Sequence, residues 1–208
     1  NGAVAKTSGS LKGGLSSNII IGGTGASTNL PSVVLNNLTL NRLNGMGLSG
    51  NDTVYGTFTL TLGALALNGF ALVYGPAATL KYNGNSSQTT SNSEFPAVNG
   101  PYYLDNSNTS TLNLHANRTL QGDILLNSGT FSIGPNTLYL NNGLSYLGGD
   151  IEGGMNSSLV FGGAGEAGHL HYITLNQLTL NRPSGLFLDD NIIVDGKFIL
   201  ISGELNRQ

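Results

Sequence analysis

The chain has 208 residues, enough for one sizeable domain or one continuous repeat array. Only 9 % of its residues are charged, and the net charge of −3 comes with no basic stripe. Nucleic acid is therefore excluded as an expected partner, because phosphate binding needs clustered Lys and Arg. There is no Cys, which removes disulfides, thiolate metal sites and thiol nucleophiles.

The opening Asn1-Gly2-Ala3-Val4 is neither an initiator Met nor a signal peptide, and the chain reads as a portion of a longer precursor. No apolar run approaches the roughly 18–20 residues that span a bilayer. Taken in chain order, short segments with alternating apolar residues lie near 19–21, 38–40, 58–60, 80–82, 102–104, 124–126, 159–161, 178–180 and 198–200. Most are spaced by about 20 residues, a length suited to one coil of a β-solenoid. Val33–Leu35, Met46–Leu48, Thr53–Tyr55 and Leu65–Leu67 supply the other sides of the coils. A sustained helical period is absent, and Gly or Asn interrupts every few residues.

The decisive signal is self-similarity. Leu35-Asn36-Asn37-Leu38-Thr39-Leu40-Asn41-Arg42 returns as Leu175-Asn176-Gln177-Leu178-Thr179-Leu180-Asn181-Arg182, a displacement of 140 residues that holds without a gap on both sides. A weaker middle copy aligns Leu120–Leu126 with Val54–Leu60. The copies span approximately 18–78, 79–157 and 158–208. Between them the alternate apolar residues and the turn glycines persist, while the residues between drift: Thr57 becomes Lys197 and Ala64 becomes Glu204. Inward apolar rows, outward polar rows and glycine corners leave this pattern; a catalytic site leaves fixed polar groups at unique places. The expected fold is all-β: a single parallel β-helix or β-solenoid over 1–208, of about ten coils of about 20 residues, with three long internal repeats. An antiparallel sandwich, with hairpins at Asn83-Gly84 and Asn99-Gly100, is the rival, but it does not predict an ungapped repeat of this length. The register sets Leu40, Leu60, Leu126, Leu180 and Leu200 inside. Asn83 to Pro101, with a long polar run and little to bury, is expected as an outward excursion.

Leu38-Thr39-Leu40-Asn41, then Gly45-x-x-Leu48-x-Gly50-Asn51, Val54-x-Gly56-Thr57-Phe58-Thr59-Leu60 and Gly63-x-Leu65-x-Leu67-Asn68-Gly69, resemble the repeats of very large secreted bacterial surface proteins. Many of those are β-helical, adhesin-like or fibre-forming, and exported by the type IX route. The resemblance implies an extracellular, cell-surface address and adhesive or filament-building roles. The C-terminal sorting domain that such proteins often carry is not visible.

Chemistry is sparse. Glu166, His169 and His171 are the best metal candidates, since two His at i and i+2 on a strand share a face; the first copy has Ala26, Asn29 and Pro31 there, which favours surface imidazoles in a polar loop. Asp189, Asp190 and Asp195 offer oxygen ligands to Ca²⁺, but no spacing matches a calcium loop, and a solvated corner is the preferred reading. Asp150 and Glu152 are spaced as paired acids, yet nothing in the sequence sets them in a cleft. His115 is isolated and expected on a solvent-facing rung. Gly22-Gly23-Thr24-Gly25 has no helix after it and reads as a wide turn rather than a phosphate loop. Asn41-Arg42 and Asn181-Arg182 read as structural corners, with Asn in the left-handed region and Arg along the neighbouring coil. No catalytic or cofactor-binding residue is assigned. The expected function is therefore structural and not enzymatic: a segment of a surface fibre or adhesin stalk that associates head to tail. A glycan-binding adhesin module, and less so a polysaccharide-acting β-helix enzyme, are the alternatives.

Overall fold

The computed structural model describes residues 7–207, and these contain strands and no helix. They divide into two units, the first running through Asn85 and including Ser91–Tyr102, the second holding Ser86–Thr90 and the residues from Tyr103 on.

In the first unit, β1 (Asn18–Gly23), β2 (Thr28–Leu30) and β3 (Val34–Leu35) form one three-sided coil. The next is β4 (Asn37–Arg42), β5 (Met46–Leu48) and β6 (Asp52–Val54), the third β7 (Thr57–Leu62), β8 (Leu65–Ala66) and β9 (Leu72–Tyr74), and β10 (Thr79–Tyr82) opens another. Each side stacks in parallel on the same side of the next coil, as β1-β4-β7-β10, β2-β5-β8 and β3-β6-β9. Ile19, Leu38, Phe58 and Leu80 are register partners, as are Ile21, Leu40, Leu60 and Tyr82. Successive partners lie about 20 residues apart, so the interval between apolar segments is one coil.

The second unit contains β11 (Gln88–Thr89), β12 (Tyr103–Asn106), β13 (Thr111–Asn113), β14 (Arg118–Leu120), β15 (Ile124–Leu126), β16 (Thr130–Ser132), β17 (Thr137–Leu140) and β18 (Leu144–Tyr146). After them come β19 (Asp150–Glu152), β20 (Gly154–Phe161), β21 (Gly168–Leu170), β22 (Ile173–Asn181), β23 (Leu186–Leu188), β24 (Ile192–Ser202) and β25 (Leu205–Arg207). Its parallel ladders run β12-β15-β18, β11-β13-β16-β19, β14-β17-β20-β22-β24 and β21-β23-β25. The fold is an all-β parallel β-solenoid, with about ten coils among the described residues.

Alternation explains the walls. In β4, Leu38, Leu40 and Arg42 are buried while Thr39 and Asn41 face out, because successive side chains of a strand point to opposite faces. At the corners, amides replace water as partners: Asn37 Nδ2 donates to Asn18 Oδ1 at 2.8 Å, and the Thr57 N–H donates to Asn37 Oδ1 at 2.8 Å. Such ladders satisfy backbone groups where the sheet hydrogen bonds stop.

The repeat is reproduced to its irregularities. The β4–β7 ladder pairs Leu38 with Phe58 and Leu40 with Leu60, then slips so that Asn41 meets Leu62. The β22–β24 ladder pairs Leu178 with Phe198 and Leu180 with Leu200, then slips so that Asn181 meets Ser202. A bulge thus recurs at the same repeat position. The next corner needs glycine in both copies: Gly63 and Gly203 each have φ of +88°, and a Cβ would collide with the carbonyl of Arg42 or Arg182.

Three expectations are corrected. Leu40, Leu60, Leu126 and Leu180 are buried, but Leu200 is 54 % exposed; its register is right, and no strand lies along the outer edge of β24 among the described residues. The stretch 83–101 is no free excursion, because β11 joins a parallel ladder and Thr90, Glu94 and Phe95 are buried. Asn41 and Asn181 are not in the left-handed region, which among non-glycine described residues is held by Asn68 and Asn99.

Candidate functional site

The arginines of the repeated Asn-Arg pair are wholly buried, and each reaches carbonyls of the neighbouring coil. Arg42 donates from Nε to Ala26 O and from Nη1 to Gly22 O, both at 2.8 Å. Arg182 donates from Nε to Gly162 O at 2.9 Å and from Nη1 to Glu166 O at 3.1 Å, and its Nη2 reaches Leu140 O at 2.8 Å and Asn142 O at 2.6 Å. A planar fork of donors suits a corner where several strand carbonyls converge. Burial pushes the Arg182 pKa down, and Asp123 opposes this.

The metal candidates are sorted by the coil stacking in the second unit. His169 on β21 is the register partner of Phe187 on β23, and their rings stack with centroids 5.2 Å apart. The Asp189 N–H donates to Leu170 O at 3.0 Å, which brings its carboxylate beside both imidazoles. His169 Nδ1 is 3.1 Å from each Asp189 oxygen, and His171 Nε2 is 3.7 Å from Oδ2. The His171 ring lies on Tyr146 at 3.7 Å with planes 9° apart, and the His171 N–H points to the Tyr146 hydroxyl at 3.4 Å. Burial raises the Tyr146 pKa far above its ordinary value, the bond from His171 opposes this, and Asp150 and Asp189 add to it; the phenol stays neutral.

Glu166 lines a groove of about 430 Å³ with Asp123, Asn142, Ser145 and His169. Asp190 accepts from the Asn191 N–H at 2.6 Å, an ordinary turn contact, and Asp195 is exposed on β24. Among the described residues no group of three or more His, Cys, Asp or Glu side chains could hold a metal ion.

Three further residues stand differently from the expectation. His115 is not isolated: Nδ1 is 2.6 Å from Thr90 Oγ1, and Nε2 is 2.6 Å from Arg118 Nη2. Burial and then Arg118 lower its pKa, so it is neutral at neutral pH and accepts from the guanidinium. Asp150 and Glu152 do lie in a cleft, an open groove of about 320 Å³ that they share with Thr130, Gly153, Tyr172 and Thr174. Sequence reading missed the groove because it forms between coils; the exposed acids at i and i+2 and the His-Tyr pair at 171–172 were its legible traces.

No family model matches the chain, and neither a curated protein nor a solved structure matches it.

Proposed function

We propose that this protein is a structural segment of an extracellular bacterial surface fibre or adhesin stalk, without catalytic function, whose coils associate end to end. The outer edge of β24 carries this reading. In the first unit, Leu80 and Tyr82 of β10 cover Phe58 and Leu60 of β7. The repeat-equivalent Phe198 and Leu200 of β24 are 44 % and 54 % exposed. A strand edge with open backbone groups and an apolar row is a template for another strand, and its complement is a further parallel coil; where a second copy supplies that coil, the association is end to end. A heterologous contact of this kind does not close and grows into a filament. The low proportion of charge, 9 % of residues, leaves little repulsion against such stacking. The bacterial and extracellular address rests on the resemblance of the repeats.

Light scattering and electron microscopy at rising concentration test the association. Filaments that grow with concentration, and that Leu200→Lys abolishes, are expected. A wild-type protein that stays monomeric at high concentration overturns the reading. Antibody labelling of intact source cells tests the address, and labelling that appears only after permeabilisation defeats it.

A further inference from the structure

Two wall ladders of the second unit end within the array, one at β18 and one at β19, and the second of these opens a groove. β19 pairs with β16 on one edge, and among the described residues no strand pairs with its other edge. The chain passing that edge, Tyr172 to Thr174, is joined to the preceding coil only from the Gly154–Leu175 pair onward. There the register slips: the five residues from Gly154 to Ser158 face the three from Leu175 to Gln177, and Met155 is pushed into solvent. A bulge beside an interrupted ladder is a local departure from the repeat, and such departures concentrate at functional sites. Gly153 closes the split, since a Cβ there would collide with the Thr174 carbonyl.

The resulting groove has a defined chemistry. Asp150 and Glu152 alternate with buried Ile151 and so share the outer face of β19. Thr130 is the register partner of Asp150, and Thr174 lies on the opposite wall. Tyr172 is 54 % exposed, and the adjoining His171 is pinned by its stack on Tyr146, which fixes the backbone that presents the phenol. The groove volume of about 320 Å³ falls in the roughly 300–1,000 Å³ range of small-ligand sites.

We propose that this split is a lateral saccharide-binding site for neutral or amino-bearing hexose units. The apolar face of a pyranose ring packs on Tyr172, and its hydroxyls donate to Asp150 and Glu152, with Thr130 and Thr174 at the margins. Carboxylates accept from adjacent hydroxyls or from an ammonium group, and they repel uronic and sialic acids. The site is independent of end-to-end association.

The test is a printed array of neutral, amino-bearing and anionic oligosaccharides probed with the full chain, followed by titration calorimetry on the strongest hit. Binding confined to the neutral and amino-bearing sugars is expected, at least tenfold weaker in both Tyr172→Ala and Glu152→Gln. Tyr172 and Glu152 are exposed, so both variants are expected to melt as the wild type does; Glu152→Gln keeps the test decisive if Tyr172→Ala does not. Absence of binding, binding to anionic sugars, or binding unchanged in a folded Glu152→Gln variant overturns the proposal.

Discussion

The Tyr82 hydroxyl donates to Glu94 Oε1 at 2.7 Å, inside the first unit where both side chains are buried. Glu94 also accepts from the Ser91 N–H at 2.5 Å and from the Ser91 hydroxyl, while its own carbonyl accepts from the Tyr74 hydroxyl at 2.6 Å. A polar stretch that looks like a free loop is thus sewn to the coils by one carboxylate. Hydrogen bonds to charged groups contribute about 1.5–3 kcal/mol each, so Glu94→Ala is expected to destabilise by about 3 kcal/mol. Phe95→Ala is expected to cost about 3–5 kcal/mol. Urea denaturation measures both, and losses below about 1 kcal/mol would show that the segment is not anchored.

Arg182 and Arg42 give a graded pair. Arg182 holds four carbonyls and Arg42 two. A buried carbonyl left without a donor costs about 1–3 kcal/mol, so Arg182→Met, which strips the donor from Gly162, Glu166 and Asn142, is expected to destabilise by at least about 3 kcal/mol. Arg182→Lys rescues little, because an ammonium cannot reproduce the fork. Arg42→Met is expected to cost less. Denaturant midpoints check the order, and equal losses at the two positions would contradict it.

Asp52 predicts a pH dependence. It is buried in β6, its Oδ1 accepts from the Val33 N–H at 2.8 Å, and its Oδ2 has no partner. Burial, opposed by the Val33 bond, raises its pKa from 3.8 to about 6. The folded state therefore holds the proton more tightly than the unfolded chain. Its contribution is full below pH 3.8, is lost as pH rises to about 6, and stays lost above that. At about 1.4 kcal/mol per unit the loss is about 3 kcal/mol. The difference between wild type and Asp52→Asn, from denaturation at pH 4 and pH 7, measures it; a difference that does not change with pH defeats the prediction.

Leu60 and Leu200 occupy equivalent repeat positions with opposite burial, 5 % against 54 % exposed. Leu60→Ala is expected to cost about 2–5 kcal/mol, and Leu200→Ala in dilute monomer less than about 1 kcal/mol. Thermal melts at low and high concentration check this. A Leu200→Ala cost that grows with concentration marks burial on association.

The solenoid was legible because its causes are periodic. Leu38, Leu40, Phe58 and Leu60 alternate along each strand, and Gly63 returns at Gly203, so pattern alone locates wall and corner. The contacts of Glu94, His115 and Asp189 were not legible, because each depends on a residue from a neighbouring coil whose register the pattern does not specify. His169 and His171 were read against Glu166, a sequence neighbour, whereas stacking pairs them with Asp189 from the next coil. Asp52 escaped notice because its repeat equivalent is Ile192: an inward position was recognisable only by comparison, and a polar residue there looks like drift.

Within each unit, every wall strand is held by partners about 20 residues away along the chain. That spacing has a mechanical consequence. A load that peels one coil from its neighbour breaks that ladder and leaves the coils beneath intact. Each released coil then adds a length fixed by the extended reach of its residues, about 70 Å at roughly 3.5 Å per residue. Stretched between two surfaces, such a solenoid yields in equal increments instead of rupturing at once, dissipating work with each coil it sheds.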